Sequence, residues 1–174
     1  MDRYLVISGT NRKNSYTKKV ANIYLNSLLQ KNLDAKLLAL DEVPVDFYND
    51  YDIKSANNKR IQEDFIIPAN KIIFIAPEYN GSIPGVLKFL IDSSNIKASF
   101  HNKKGCIVGV ASGRAGNLRG MDHLHGILNH IKIDVIHKTL PISKIEDIMD
   151  KEGHFIDEET PKLIENQIKY FINF

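Results

Sequence analysis

The chain has 174 residues, of which 43% are hydrophobic and 25% charged, a composition typical of a globular protein of ordinary size. Its 23 Lys and Arg residues against 21 Asp and Glu residues give a formal charge of +2. That charge is too small for the basic surface of a nucleic-acid-binding protein, and it argues against the acidic surface of many small electron carriers. We expect a single domain over residues 1–174.

The sequence also bears on the compartment. No apolar run approaches the roughly 18 residues of a membrane-spanning helix, and the start, MDRYLVISGTNRK, becomes polar too soon for a signal peptide. The single cysteine, Cys106, cannot form an intrachain disulfide, which is typical of proteins in a reducing compartment. We therefore expect a soluble, cytoplasmic protein with neither a membrane nor a nucleic acid as its partner.

Short apolar runs alternate with helical patterns along the chain. Strands are predicted where apolar residues run together, and helices where they recur every three or four positions. The predicted strands are residues 3–8, 35–40, 71–76, 105–111 and 133–137. The predicted helices are residues 15–31, 57–67, 84–92, 118–131 and a last helix that opens at Thr160-Pro161. The stretches 45–55, 95–104 and 150–159 are predicted loops.

This order of elements predicts an α/β fold. The runs 3–8, 71–76 and 105–111 are apolar nearly throughout, which indicates strands of a parallel sheet that is covered on both faces. The prediction is a doubly wound, five-stranded parallel sheet with helices on both faces. In such a sheet ligands bind outside the carboxyl ends of the strands, so the loops after the first, third and fourth strands form the candidate site.

The loop after the first strand carries the groups that bind a phosphate. Thr10, Ser15 and Thr17 offer hydroxyls, Arg12 offers a fixed charge, and the start of the following helix offers free N–H groups. The loop has neither the Gly-Lys-Ser/Thr of a Walker motif nor the three glycines of the dinucleotide fingerprint. By itself it is equally typical of an ordinary capped helix with a basic first turn. The remaining cations are interpreted as ordinary surface residues of that turn: Lys13, Lys18 and Lys19.

The loops after the third and fourth strands are rich in glycine. Residues 77–85, PEYNGSIPG, place two prolines and two glycines around Tyr79 and Asn80, which predicts a stiff turn whose amides can face a flat ligand. Residues 111–117, ASGRAGN, also allow close backbone approach. Each loop alone is compatible with a plain surface turn. Together, three such loops at one sheet edge favour a site for a phosphate attached to a planar group.

These loops resemble a known family. The segments GTNRKNSYTKKVA and PEYNGSIPGVLKFLID are similar to the NADPH-dependent FMN reductase family, which includes flavodoxin-like quinone, azo-dye and chromate reductases. Gly9, Thr10, Arg12 and Ser15 match its motif Gly-Ser-x-Arg-x-x-Ser, with Thr10 in place of the usual Ser, and residues 77–80 match its Pro-Glu-Tyr-Asn in full. SGRAGN resembles its third, Gly-rich loop, and the likeness covers residues 3 to about 141.

The resemblance implies a flavodoxin-like fold and an FMN-dependent oxidoreductase. NADPH or NADH would reduce the flavin, which would pass electrons to a small-molecule acceptor such as a flavin, quinone, azo compound or oxidised metal; no catalytic acid or base and no metal is implied. The implied phosphate-binding residues are Thr10, Arg12, Ser15 and Thr17, with Tyr16 beside them. The implied residues along the isoalloxazine are Pro77, Glu78, Tyr79, Asn80 and Gly81, the last two through their amides, and those along its pyrimidine side are Ser112, Gly113 and Arg114.

Two further positions depart from the family pattern. Phe89 and Ser93 stand where Leu-Lys-Asn-x-Ile-Asp-Trp has Asn and Trp, a change expected to reshape the floor beneath the flavin or the contact between subunits. The predicted helix 84–92 is apolar on nearly every side, more than one sheet face can bury. This pattern and the family's symmetric assemblies predict a homodimer or homotetramer, whereas the alternative is that loop 95–104 covers the helix.

Two other functions occur on this fold. A flavodoxin-type FMN electron-transfer protein, with no NAD(P)H activity of its own, is the alternative, and the charge of +2 and the PEYN loop argue against it. A response-regulator receiver domain needs acidic residues at the end of the first strand, where this chain has Ser8 and Gly9.

The histidines and the cysteine are not interpreted as site residues. His123 and His125 are two positions apart in a predicted helix and cannot hold the same ion, since only neighbours three or four apart share a face. His125 falls with Met121 and Leu128, which predicts a core histidine. Cys106 lies inside a predicted buried strand, where a thiol behaves as a small apolar group.

Overall fold

A computed structural model describes residues 2–49 and 51–174 of the chain. Its parallel strands follow the order β2-β1-β3-β4-β5, which is the flavodoxin-like order and confirms the predicted doubly wound sheet. The strands are β1 (Arg3–Ser8), β2 (Asp34–Ala39), β3 (Lys71–Pro77), β4 (Lys104–Val110), β5 (Asp134–Val135) and β6 (Leu140–Ile142). The helices are α1 (Tyr16–Gln30), α2 (Ala56–Ile61), α3 (Gly85–Asp92), α4 (Ile96–Ser99), α5 (Leu118–His130), α6 (Ile145–Ile148) and α7 (Glu159–Asn173).

The core lies on both sides of the three central strands. β3 is buried at every position and pairs in parallel with β1 and β4. One apolar layer packs between the sheet and α3 and α5, and the other packs between the sheet and α1 and α7. The continuous apolar runs of these strands follow from this arrangement, because helices remove both faces from water.

Two short strands occupy the place of the predicted fifth strand. β5 pairs with Lys104 and Gly105 at the start of β4, and β6 pairs with residues 108–110 at its end. Both pairings are parallel. The chain after β6 therefore emerges at the same sheet edge as the loops after β1, β3 and β4.

Several predicted boundaries differ from the structure. The predicted loop 45–55 contains a 3-10 helix over Val45–Asn49, and its Asp50 lies outside the described residues. The predicted loop 95–104 contains α4, and the predicted helix 57–67 is α2 continued by a π-helix over Gln62–Ile66. Pro84 is the N-cap of α3 and not its first helical residue, a position where its missing N–H is also harmless.

The helix α5 buries a different face from the predicted one. Met121, Leu124 and Leu128 are buried, whereas Leu118 is 50% exposed and His125 is exposed. At about 100° per residue the buried arc is centred near Leu124, and Leu118 and His125 both lie outside it. The prediction of a core His125 was wrong, and Leu118, although apolar, also lies off the buried face.

The helix α3 is covered by its own chain. The Phe89 side chain is buried, and its ring centroid lies 5.3 Å from that of Phe47, 5.8 Å from Tyr48 and 4.5 Å from Tyr51. This ring therefore anchors α3 to the segment after β2, and its expected effect on the flavin floor or on a subunit contact stays a prediction. Ser93 is also buried, and nothing in the described structure explains its unpartnered hydroxyl.

No helix in residues 2–49 and 51–174 combines the length and the apolar character that crossing a bilayer requires.

Candidate functional site

A cleft of about 330 Å³ opens at the carboxyl edge of the sheet. It lies between the loops after β1, β3 and β4 and the segment after β6. The predicted site residues that line it are Arg12, Ser15, Tyr16, Thr17, Pro77, Glu78, Tyr79 and Ser112. The other predicted residues belong to the same loops without lining the cleft: Thr10, Asn80, Gly81, Gly113 and Arg114.

The first loop reaches the cleft by passing close over β3. Gly9 N–H donates to the carbonyl of Ile75 at 2.9 Å. A Cβ at Gly9 would lie 2.8 Å from that carbonyl oxygen and 2.9 Å from Leu87 Cδ2, so no larger residue fits here. The glycine of the first motif thus lets the loop turn down onto the sheet edge and enter α1.

The start of α1 presents unpaired backbone amides. Ser15 caps the helix by accepting a hydrogen bond from Lys18 N–H at 3.2 Å. Within the described chain, the N–H groups of Ser15, Tyr16 and Thr17 donate to no protein acceptor. Free amides at the positive end of a helix dipole stabilise an anion, and they meet the cleft here.

The basic residues of this loop differ in their partners. Lys18 Nζ lies 2.8 Å from Asp41 Oδ2, and Lys13 Nζ donates to the backbone carbonyl of Asp41. Burial lowers the pKa of Lys18, but hydrogen bonds to Asp41 and Glu42 outweigh that effect and raise the pKa above its usual value. The Arg12 guanidinium has no carboxylate partner among the described side chains, so its charge is available to a ligand.

Thr10 and Tyr79 form a pair of hydroxyls behind the cleft. Their oxygens are 3.0 Å apart, and Thr10 Oγ1 also accepts from Arg12 N–H at 3.2 Å. A hydroxyl has one proton and two acceptor positions, so whichever of the two donates to the other, one proton is left over. Thr10 is 1% exposed and Tyr79 is 39% exposed. The arrangement in which Thr10 donates therefore places the remaining proton of Tyr79 where a ligand can accept it.

The second motif forms a tight turn over Tyr79–Ser82. Tyr79 N–H donates to the Ser82 carbonyl at 2.9 Å, and Ser82 N–H donates to the Tyr79 carbonyl at 3.0 Å. Asn80 and Gly81 have φ of 51° and 74°, as in the type I′ turns that Asn-Gly favours. Neither of their N–H groups has a protein acceptor in the described residues, and the Ser82 hydroxyl lies 2.9 Å from Nδ1 of His123 on α5.

The third loop is joined to the segment after β6. Ile145 N–H donates to the Ala111 carbonyl and Lys144 N–H donates to the Gly113 carbonyl, both at 3.1 Å. These bonds bring Ile145 and Glu146 into the cleft lining, which the sequence did not predict. The short apolar run 140–142 is the signal that could have revealed them, because a strand there continues the sheet edge and brings the next residues to the cleft. A Cβ at Gly113 would meet no atom within 4 Å, so the outer side of this loop is open.

The other reactive groups are the candidate metal ligands and the single cysteine, Cys106, which does not line the cleft. Among the described residues, no three His, Cys, Asp or Glu side chains are grouped so that they could hold one metal ion. Cys106 is fully buried in β4, as predicted, and burial raises the pKa of its thiol.

The donor set of the cleft fits FMN. Unpaired amides at the start of α1 and the unpaired Arg12 suit a terminal phosphate, which carries two charges. The turn over Tyr79–Ser82 enters the cleft lining through Tyr79, and its two further free amides, on Asn80 and Gly81, lie next to that lining.

The chain is similar to several known proteins. The model of the NADPH-dependent FMN reductase family matches residues 3–147. An NAD(P)H-dependent FMN reductase from Pseudomonas aeruginosa is 29% identical over 173 residues, covering 96% of this chain and 91% of that protein. A 2-hydroxy-1,4-benzoquinone reductase from a Burkholderia species is 27% identical over 164 residues, covering 92% and 88%. The solved structure of FerB, a flavoenzyme NAD(P)H:(acceptor) oxidoreductase from Paracoccus denitrificans, has a TM-score of 0.78 at 22% identity, covering 99% and 96%.

The family model spans most of the chain and includes the loops after β1, β3 and β4. The chain therefore belongs to the NADPH-dependent FMN reductase family, and it is an oxidoreductase with FMN as its cofactor and NAD(P)H as its co-substrate.

Proposed function

We propose that this protein transfers electrons from NAD(P)H to a small-molecule acceptor and that the cleft described above holds its flavin. The observation that carries the proposal is the unpaired anion site at the start of α1, with free amides on Ser15, Tyr16 and Thr17 and the unpaired charge of Arg12. When bound, FMN supplies the redox chemistry, taking a hydride from the nicotinamide and passing electrons to the acceptor.

The first loop would bind the phosphate. Arg12 and the hydroxyls of Ser15 and Thr17 would donate to it, together with the backbone amides from Ser15 to Thr17. Thr10 would act through Tyr79, since its hydroxyl is buried and already accepts from Arg12 N–H. By donating to Tyr79, Thr10 would direct the tyrosine proton toward the cofactor.

The second and third loops would hold the ring. Pro77 and Glu78 line the cleft where β3 ends, and the amides of Asn80 and Gly81 would donate to the reactive edge of the isoalloxazine. Ser112, Gly113 and Arg114 would lie along its pyrimidine side. The proposal needs no side chain as a general acid or base. The chain would bind and orient the ring and leave one face open to the nicotinamide and then to the acceptor.

We infer that a quinone is the first acceptor to test. The relative from Burkholderia is a 2-hydroxy-1,4-benzoquinone reductase, and an open flavin face can receive any flat acceptor of that size. Free flavin, azo compounds and oxidised metals are the other acceptor classes. The purified protein should oxidise NADPH or NADH only when an acceptor is supplied, and rates with both nucleotides would show which it prefers.

We also propose a homodimer or homotetramer in the cytoplasm. A groove between α3 and α5, of about 1140 Å³, begins at Ser82 and has Ile91 and Ile127 among its apolar lining. Because Ser82 ends the turn that begins at Tyr79, a second copy seated there would lie next to that turn. The single cysteine supports a reducing compartment. Light scattering at micromolar concentration tests the assembly, and full reductase activity in a monomer would refute it.

Cofactor and activity are tested separately. Mass spectrometry of the flavin released from purified protein should give FMN, and fluorescence titration of the apoprotein should give tighter binding of FMN than of FAD or riboflavin. Tighter binding of FAD would contradict the phosphate site. An FMN-containing protein that does not oxidise NADPH or NADH with any acceptor would instead be a flavodoxin-type electron carrier.

A further inference from the structure

The turn over Tyr79–Ser82 is held from outside at both of its ends. At one end the Tyr79 hydroxyl lies 3.0 Å from Thr10 Oγ1, and at the other the Ser82 hydroxyl lies 2.9 Å from His123 Nδ1. Two backbone hydrogen bonds join Tyr79 and Ser82 directly. A movement of Ser82 is therefore transmitted to the two residues between them, whose amides are unpaired.

His123 stands on a rigid support. It lies in the second turn of α5, beside Leu124, which is fully buried against the sheet. The N-cap of this helix, Asn117, is buried, and its Nδ2 donates to the carbonyl of Ala76 at 2.9 Å. Ala76 belongs to β3, the strand from which the turn emerges. The helix and the turn thus share one anchor, which fixes the imidazole relative to Ser82.

We propose that His123 is a positioning residue for the flavin reaction, because its imidazole holds Ser82 and so keeps the amides of Asn80 and Gly81 directed at the flavin. This inference rests on the proposed function, since it assumes that the turn contacts FMN. Nδ1 can accept from the Ser82 hydroxyl or donate to it, depending on the tautomer, and either bond tethers the turn to α5. The family motifs found in the sequence do not include this histidine.

The same helix provides a matched control. His125 is exposed two positions further on, and its Nδ1 lies 3.4 Å from Asn129 Nδ2 on the same helix. His125→Ala therefore removes an imidazole from α5 without touching Ser82. His123→Asn tests rescue, because asparagine keeps a polar atom at the position of Nδ1.

The first measurement needs no cofactor. Amide hydrogen exchange of the apoprotein is followed at Tyr79 and Ser82, whose N–H groups are bonded inside the turn. His123→Ala and Ser82→Ala should each accelerate exchange at these two amides by about two- to tenfold, the effect expected for the loss of one modest hydrogen bond. The double variant should exchange no faster than either single variant, His123→Asn should be close to wild type, and His125→Ala should leave the two rates unchanged.

The second measurement is the affinity for FMN, from flavin fluorescence. His123→Ala should weaken FMN binding by about two- to tenfold, with recovery in His123→Asn and no change in His125→Ala. The midpoint potential of the bound flavin should shift in His123→Ala and return in His123→Asn. A merely structural role would not produce this shift, since the potential depends on the amides that face the ring.

The outcomes are distinct. Unchanged exchange at Tyr79 and Ser82 in His123→Ala would overturn the proposal, as would equal effects of His125→Ala. Faster exchange with unaltered FMN affinity and potential would also overturn it, because the tether would then have no bearing on the flavin. A wild-type protein that does not bind FMN would refute the proposed function itself, and the exchange data, taken without flavin, would still report whether His123 holds the turn.

Discussion

Arg12→Ala should separate binding of the flavin phosphate from binding of the ring. Arg12 lines the cleft, and among the described residues its guanidinium has no carboxylate partner. Its removal therefore breaks no ion pair that supports the fold. We expect weaker binding of FMN and nearly unchanged binding of riboflavin, which has the same ring without the phosphate.

The magnitude follows from the kind of bond that is lost. A hydrogen bond between a charged donor and a charged acceptor contributes about 1.5–3 kcal/mol, which corresponds to roughly a ten- to hundredfold loss of affinity. Because Arg12 is exposed, solvent screens its charge, and we expect a value near the lower limit. Raising the salt concentration should reduce the difference between wild type and variant.

Lys13→Ala is the matched control. Lys13 also lines the cleft, but its ammonium group donates to the backbone of Asp41, so it should lose about threefold or less in FMN affinity. Fluorescence titration of apoprotein with FMN and with riboflavin measures both variants. An equal loss for the two flavins in Arg12→Ala would refute the reasoning, as would an equal loss of FMN affinity in Lys13→Ala.

Three further predictions concern other parts of the molecule. Tyr79→Phe removes the hydroxyl whose proton faces the cleft when Thr10 donates to it, and should weaken FMN binding by about two- to tenfold. Adding Thr10→Val should cost little more, and fully additive losses in titration would contradict the pairing. Burial lowers the pKa of Lys103 to about 8, so the unfolded chain binds more protons from about pH 8 to 10.5, and wild-type stability should rise with pH there. In urea unfolding, the free energy of unfolding of wild type, relative to that of Lys103→Met, should increase by about 1–2 kcal/mol between pH 7 and 9.5. A difference between the two proteins that stays constant over this range would contradict the prediction. Phe89→Glu should unfold the protein, since the lost packing alone costs about 3–5 kcal/mol. Gly126→Arg should keep the fold, because an added Cβ at this position in the groove meets no atom within 4 Å, and it should reduce the mass found by light scattering.

The central part of the fold was predictable because its apolar runs are compatible with few structures. A run such as Lys71–Pro77, apolar at almost every position, can only be a strand covered on both faces or a buried helix, and its length and flanking turn favour the strand. The edge was harder to predict. β5 has two residues and β6 three, and their pairing with β4 depends on a register that no local pattern encodes.

The helix faces were predictable only where the buried arc was centred correctly. In α5 the residues Met121 and Leu128 define a stripe, but its width and direction depend on how the helix crosses the sheet. Leu118 and His125 lie on one side of that stripe, and Gly120 and Leu124 lie on the other, buried side. A pattern of apolar residues gives the period of a helix, but tertiary packing decides how the helix is rotated about its axis and so which residues are buried.

In the candidate site, the sequence predicts which residue types are present, and the fold decides which partners they have. The motifs predicted donors on three loops, and nothing in them distinguishes Arg12, whose charge is unpaired, from Lys13 and Lys18, which contact Asp41. That difference arises because β2 ends beside the start of α1 and brings a buried carboxylate within reach of two lysines. Of these three cations, Arg12 is therefore left for a ligand, and the two lysines neutralise the Asp41 carboxylate of the segment after β2.

Thr10 gives a physical meaning to the one substitution in the first motif. A β-branched side chain has fewer rotamers than serine, and here its hydroxyl must lie where Arg12 N–H donates to it and Tyr79 is 3.0 Å away. The restricted rotamer fixes the position of the Thr10 hydroxyl that contacts Tyr79, while the turn that carries Tyr79 is tied to α5 through Ser82 and His123. Two walls of the cleft that are about 70 residues apart in the sequence are thereby set at a defined separation before any ligand binds, which lowers the entropy that binding must overcome.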